Sequence, residues 1–361
     1  MNYKIIILVN LTLLIFNSLS AQSNSEVRSY IKTVLVDKET SLEVSNKYGK
    51  IEITQWKKDS ALIRAEIKAV ASNKDKLKKM FDGIAVNITE TKYLVRAETD
   101  FTQNVNMLFE SFKGMTSKLI SYDSKVEINY YISIPEYINL KIENKYGDVY
   151  MEDNTGDLSI SVSNGSFKAN SLGKGSVLKI AFCDASIKSI TSGKIDASFS
   201  EVSIGEAGDV SINSVSSRYE IKQAGIVSIE SRRDKFIIDN IETIKGNSYF
   251  TDFNVNTLNK EINISARYGN MNFDLIKNGF EYIYITSGYS DISLDFDDGS
   301  SYNLDIRHVN SFLDISDKNA KTEKKVLNEE KKEYMTSGIV GSNPGTAKVK
   351  IDASRGNIYI R

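Results

Sequence analysis

A short phrase of alternating apolar and polar residues returns along the chain at nearly even intervals, and nothing else in the sequence restricts the fold as strongly. It reads "LKIEN" from Leu140, "LSISV" from Leu158, "LKIAF" from Leu178, "IDASF" from Ile195, "VSINS" from Val210, "VSIES" from Val227, "INISA" from Ile262, "IYITS" from Ile283 and "LDIRH" from Leu304, with a weaker copy at Ile241, "IETIKG". The interval is about 18 residues, and self-similarity at such a period marks a solenoid. Alternation sends Leu158, Ile160 and Val162 to one face, with Asp157, Ser159 and Ser161 on the other. One coil cannot bury that apolar face alone, so stability must come from stacked neighbours.

Each period holds a second strand behind a turn: "KYGDVYM" after "LKIEN", "SNGSFKA" after "LSISV", "RYGNMNF" after "INISA", "GYSDISL" after "IYITS". The tetrapeptide "NKYG" occurs at Asn46 and again at Asn144, each time followed by alternating apolar residues. It reads as a corner between two strands of one coil, with glycine expected to supply positive φ and tyrosine to cover the edge of the core. The expected fold is all-β, a single-chain parallel β-helix with about 18 residues per coil. Parallel connections favour a right-handed path, and a left-handed one is also compatible with the sequence.

The ends depart from the repeat. Behind Lys4, the run "IIILVNLTLLIF" followed by "NSLSAQ" reads as a signal peptide, residues 1–21, cleaved after Ala21. The run is too short to span a bilayer, so no transmembrane segment is expected after its removal. Residues 22–135 read as an N-terminal capping β region with helical insertions, and 136–361 as the solenoid. "NKDKLKKMFDGI" predicts a short helix with Leu77, Met80 and Phe81 on one face. "NVNMLFESFKGMTSKLI" places Leu108, Phe112, Met115 and Leu119 on a second helical stripe, a lid on the first coils or else a membrane-surface or partner contact. The charged stretch 317–335 reads as a solvated loop, and "SRGNIYI" near the C-terminus as a strand that closes the rod.

With 46 basic and 47 acidic residues, the chain carries no bulk charge that would draw it to nucleic acid or an anionic membrane. The single Cys183 has no disulfide partner within the chain. The single His308, expected on a strand surface, leaves no histidine-based triad or multi-histidine metal site. "DFDDG", with Asp297 and Asp298, lacks the spacing of a calcium loop and reads as a plain corner. No cofactor or metal is called for.

One surface pattern carries chemistry. Basic residues recur before the corner tyrosine or its equivalent: Lys47, Lys145, Arg218, Arg232, Arg267 and Arg355. Stacked coils would align them into a basic and aromatic stripe, with Lys145, Tyr146, Arg218, Tyr219, Arg267, Tyr268 and Tyr289 as candidate binding residues for an acidic glycan or a protein. The competing reading is that the long stems shield the corner and pair with nearby carboxylates. Asn164, Phe182 and Phe199 interrupt the basic pattern on intermediate coils.

The recurring "NKYG" corner, the entry "YISIPEYINLKIENKYGDVYM", the glycine-marked strands and the leader together resemble adhesin-like β-helix domains of unknown function in exported bacterial proteins, the type labelled auto-transporter adhesins; the likeness is strongest from Tyr131 to Leu313. The resemblance implies a β-solenoid and an envelope location: periplasm, outer-membrane-associated or cell surface. It carries no active-site residue. The function expected is that of a non-enzymatic, adhesin-like exported protein that binds a glycan, cell-wall or protein partner along the rod. A polysaccharide lyase or hydrolase is the alternative, on fold analogy alone.

Overall fold

The two "NKYG" corners, far apart in sequence, lie one on top of the other. In the computed structural model, which describes residues 24–102 and 124–361, strand β2 (Ser41–Lys47) pairs in parallel with β8 (Asn139–Lys145), Asn46 opposite Asn144 and Lys47 opposite Lys145. Strand β3 (Ile51–Gln55) pairs likewise with β9 (Val149–Met151). The repeated phrase is thus one corner on two successive rungs. Everything between them is an excursion that builds the N-terminal end.

That excursion runs through β4 (Ser60–Ala71), helix α1 (Lys74–Asp82), β5 (Ile84–Glu90), β6 (Leu94–Phe101) and β7 (Ser124–Ile134). Strands β6 and β7 form the rung beyond β2 and β3 in parallel register. Antiparallel strands then cover that end: β5 on β6, β4 on β7, and β1 (Asn24–Leu35) on β4. The alternation to antiparallel pairing ends the coil growth that an open parallel rung would invite. Asn73 caps α1 by accepting the Lys76 N–H through its side chain, and Leu77, Met80 and Phe81 are buried as their spacing predicts. The second expected helix, and the leader, lie outside the described residues.

From β8 the rungs follow one another in parallel: β10 (Leu158–Leu172), β11 (Ser176–Ser198), β12 (Glu201–Val215), β13 (Arg218–Arg232), β14 (Lys235–Tyr249), β15 (Asp252–Ile276) and β16 (Tyr282–Phe296). Glu201 sits opposite Arg218, Arg218 opposite Lys235, and Lys235 opposite Asp252. The chain is all-β apart from α1 among the described residues, and its consecutive parallel strands stack as a β-solenoid. The predicted inward residues Leu158, Ile160 and Val162 are buried. On the strand after the corner, Tyr219, Phe236 and Phe253 stack inside the coil with ring centroids 4.7 and 5.3 Å apart. Ala185 follows Phe167 on the same internal line, a small side chain making room for a large one.

The C-terminal end differs from expectation. Strands β21 (Lys348–Ser354) and β22 (Asn357–Ile360) do not form the last rung. They lie between β16 and the rung made of β17 (Tyr302–Val309) and β18 (Phe312–Ile315). The charged stretch is not a loop but a hairpin, β19 (Ala320–Asn328) with β20 (Glu333–Val340), whose second strand pairs antiparallel with β17 and covers the end. Its alternation is masked in sequence because most of β19 faces solvent on both sides.

His308, expected at the surface, is buried. It shares its inward parity with Leu304 and Ile306, donates from Nδ1 to the Ser311 carbonyl at 3.3 Å, and leaves Nε2 unpartnered. Burial holds its pKa below the ordinary value. Asp297 sits in a turn and pairs with Lys277 at 3.5 Å; no cluster of three or more metal-ligating side chains occurs among the described residues.

Candidate functional site: an aromatic and arginine corner

Among the described residues, twelve corners of the rod each turn through a single left-handed residue, and none of these is glycine. Tyr48, Tyr146, Asn164, Phe182, Phe199, Ser216, Arg233, Phe250, Tyr268, Tyr289, Arg355 and Asn310 all have positive φ, between 47 and 63°. The positive φ expected of glycine in "NKYG" therefore falls on the tyrosine. Glycine is needed next to it for a different reason: a Cβ on Gly147 would collide with the backbone carbonyl of Gly49 on the rung below, and one on Gly49 with that of Ile128.

The left-handed conformation costs an L-residue about 1–2 kcal/mol. The ladder continues through the corner in return. Along the parallel rungs the corner N–H donates to the carbonyl before the next corner: Tyr146 to Ser163 at 2.9 Å, Phe199 to Val215 at 3.0 Å, Arg233 to Tyr249 at 2.9 Å and Phe250 to Arg267 at 2.9 Å. Under the corner, where "NKYG" has glycine, the middle rungs carry a spine of small polar groups. Ser200 accepts the Cys183 N–H, Ser217 accepts that of Ser200, and Asp234 accepts that of Ser217 at 2.6 Å. The buried Asp234 carboxylate also accepts from the Ser214 and Ser231 hydroxyls and the Arg232 N–H. It thereby fixes the backbone that presents Arg232 and Arg233. Cys183 belongs to this spine, and burial raises its thiol pKa, which disfavours the thiolate.

Outside, the corner side chains stack along the rod. Ring centroids lie 5.5 Å apart for Tyr48 and Tyr146, 5.0 Å for Phe182 and Phe199, 4.7 Å for Phe250 and Tyr268, and 5.1 Å for Tyr268 and Tyr289, all near parallel. Phe182 is 58% exposed and Phe199 55%. The rings fall in three short stacks, separated by Asn164 and by Ser216 with Arg233, and exposed rings such as Phe182, Phe199, Phe250 and Tyr289 are not what a coil needs for its own stability.

The charges on this line are of one sign. The corner residues and those just before them, from Lys47 and Tyr48 to Val309 and Asn310, include Lys47, Lys145, Arg232, Arg233, Arg267 and Arg355 and no aspartate or glutamate. Among the described residues none of these six forms an ion pair, whereas Arg28, Arg64, Arg96, Arg218, Arg307 and Arg361 all do. The expectation that the corner cations would be neutralised by neighbouring carboxylates is not met. Arg267 lies over the Tyr268 ring at 5.4 Å and Arg355 over Tyr289 at 4.9 Å, which leaves their charge outward.

Beside the corner, Arg232, Tyr249 and Arg267 stand on consecutive rungs in direct register. With Asn213, Glu230 and Asn247 they line a shallow open concavity of about 640 Å³. The Asn247 amide donates to Glu230 at 2.8 Å and that of Asn213 to Asp196 at 3.3 Å, so the carboxylates of this face are held by amides and not by the arginines.

Of the residues singled out in the sequence, Lys145, Tyr146, Arg267, Tyr268 and Tyr289 lie on the corner. Arg218 and Tyr219 do not. The corner residue of their rung is Ser216; Arg218 lies on the far flank, paired with Glu220 at 2.8 Å, and Tyr219 is in the internal stack. Arg233, Tyr249 and Phe250 were missed. Counting 17 residues from Phe199 to Ser216, Arg233 and Phe250, the separation of the hydroxyl spine bonds, would have found them; matching the look of "RYE" to "KYG" does not.

No family model matches the chain, and no curated protein matches it. A solved structure described as a "putative cell adhesion protein" from Clostridium sporogenes aligns over 93% of this chain and 99% of its own, at 11% identity and a TM-score of 0.18. At that score the likeness carries no argument about fold or function.

Proposed function

We propose that this protein is an exported, non-enzymatic β-solenoid of the cell envelope that holds an acidic polysaccharide along its aromatic and arginine corner. The observation that carries this is the line of unpaired cations, free of carboxylates, interleaved with exposed stacked rings. Sugar rings present apolar faces that pack on aromatic side chains, and uronate carboxylates take charge-assisted bonds from guanidinium groups. Arg232 and Arg267 stand two rungs apart, about 10 Å at strand spacing, on either side of Tyr249. That geometry suits an extended chain more than a single compact anion. Export rests on the leader-like residues 1–21, and the proposed coil is right-handed with about 18 residues per turn. No helix among the described residues is long and apolar enough to cross a membrane.

The test is affinity electrophoresis of the full mature chain in gels holding polygalacturonate or, separately, a neutral glucan. Retardation by the acidic polymer alone, weakened by added salt and by Arg232→Gln with Arg267→Gln, is the expected result. Equal mobility in both gels would refute it, and release of unsaturated or reducing ends from the polymer would replace binding with turnover.

A further inference from the structure

The strand pair β21 and β22 occupies a slot between two rungs that precede it in sequence. Up to β16, each rung from β8 onward is followed in space by the next rung in sequence. Past β16 the order breaks: the chain lays down 302–315, makes the covering hairpin, and returns through residues 341–347 to put 348–360 beneath the rung already made.

The two walls of the slot match each other. Tyr282 and Asn303 both pair with Lys348; Ile283 and Leu304 both pair with Val349; Ile285 and Ile306 both pair with Ile351. On the second strand Ile292 and Leu313 both pair with Ile358, and Leu294 and Ile315 with Ile360. With β21 and β22 withdrawn, β16 and β17 would meet in the register they already share, apolar on apolar, as β15 meets β16. The slot can therefore close by one strand spacing without a register slip. The returning segment "GSNPGTA" turns on Gly341 and Gly345, both with positive φ, and contains Pro344. In the chain it follows the covering hairpin, and it touches the wall strand β17 through Asn303, whose backbone N–H and side-chain amide donate to the Ala347 carbonyl at 2.9 and 3.3 Å.

From this we infer that strand 348–360 is an exchangeable element, and that its second partner is the same slot in another copy of this chain. The withdrawn strand keeps the alternation Val349, Ile351, Ala353 and Ile358, Ile360, all buried when seated. In water it exposes that face and two open edges, and the chemistry that best satisfies it is an identical slot. Reciprocal exchange makes every contact of the closed monomer twice, changes only the path of residues 341–347, and closes as a two-fold dimer joined at the C-terminal ends. The inference does not rest on the proposed ligand, although the exchanged strand carries one corner cation, Arg355, with it.

The test uses full-length copies in a Cys183→Ser background. Tyr284 and Lys350 are register partners with outward side chains. Tyr284→Cys with Lys350→Cys in one chain closes an intrachain disulfide if the strand is seated as described; failure to close overturns the inference. Copies carrying Tyr284→Cys alone and Lys350→Cys alone are then unfolded, mixed, refolded at high protein concentration and mildly oxidised. Exchange gives an interchain disulfide dimer several-fold above that from a control mixture of Ser293→Cys with Lys350→Cys, which are not register partners. An interchain yield no higher than the control shows that the strand returns only to its own chain.

Discussion

Two stacks of aromatic rings run along this rod, one inside and one outside, and truncating one ring of each separates their roles. Phe236 is fully buried between Tyr219 and Phe253, with centroids 4.7 and 5.3 Å away. Phe236→Ala removes a transfer contribution of about 1.5–3 kcal/mol and leaves a cavity that stacked rungs cannot collapse without shifting their register. The total expected is about 3–5 kcal/mol, the range for buried Phe→Ala. Phe250 is 47% exposed and stacks at 4.7 Å on Tyr268. With half the burial and two ring pairs lost, to Tyr268 and edge-on to Tyr249 at 4.6 Å, Phe250→Ala should cost about 1–2 kcal/mol. Urea unfolding followed by far-ultraviolet circular dichroism reads both as midpoint shifts at constant slope. Binding to polygalacturonate should respond in the opposite order, falling for Phe250→Ala and unchanged for folded Phe236→Ala. Similar destabilisation by the two substitutions would mean that the inner and outer faces have been assigned wrongly.

Three further outcomes are expected. Tyr302 is fully buried, burial raises its pKa, and its hydroxyl has no hydrogen-bond partner, so Tyr302→Phe should stabilise the C-terminal rungs by about 1 kcal/mol in the same urea assay. His308 has a folded-state pKa below the ordinary 6.5 through burial, with Lys324 opposing its charge and Tyr334 packed on its ring. As pH falls through 6.5 the unfolded chain takes the proton first, so stability is lost below that value. The melting temperature should therefore drop between pH 7.5 and 5.5, and His308→Leu should flatten the decline. Gly147→Ala, which drives a Cβ into the Gly49 carbonyl, should destabilise by more than about 2 kcal/mol, well above an ordinary surface change.

Much of the architecture was legible because it depends on local alternation. The phrase starting at Leu158 gives the inward set, and the short helix followed from the spacing of Leu77, Met80 and Phe81. What was not legible depends on pairing between distant segments. Nothing near Lys348 says that its neighbours are Tyr282 and Asn303, since an apolar strand of this kind fits any rung. His308 was misplaced by residue type, although its parity with Leu304 and Ile306 pointed inward. Arg218 and Tyr219 were misplaced because the corner has two chemistries. Asn144 with Gly147 builds one, its amide donating to the Gly49 and Asp148 carbonyls; the serine, aspartate and threonine spine builds the other. Only the first is recognisable as "NKYG". The absence of carboxylates from the corner was readable once its frame was known, whereas the lack of ion pairs required the side chains in place.

Arginine footprinting tests the central claim most directly. Phenylglyoxal applied to the mature chain, with and without excess polygalacturonate and read by peptide mass spectrometry, compares each guanidinium with itself. Slowed modification of Arg232 and Arg267, with Arg96 and Arg307 unchanged in their salt bridges, is the predicted pattern. Modification rates at the corner unaffected by the polymer, or lowered equally at every arginine, would contradict it.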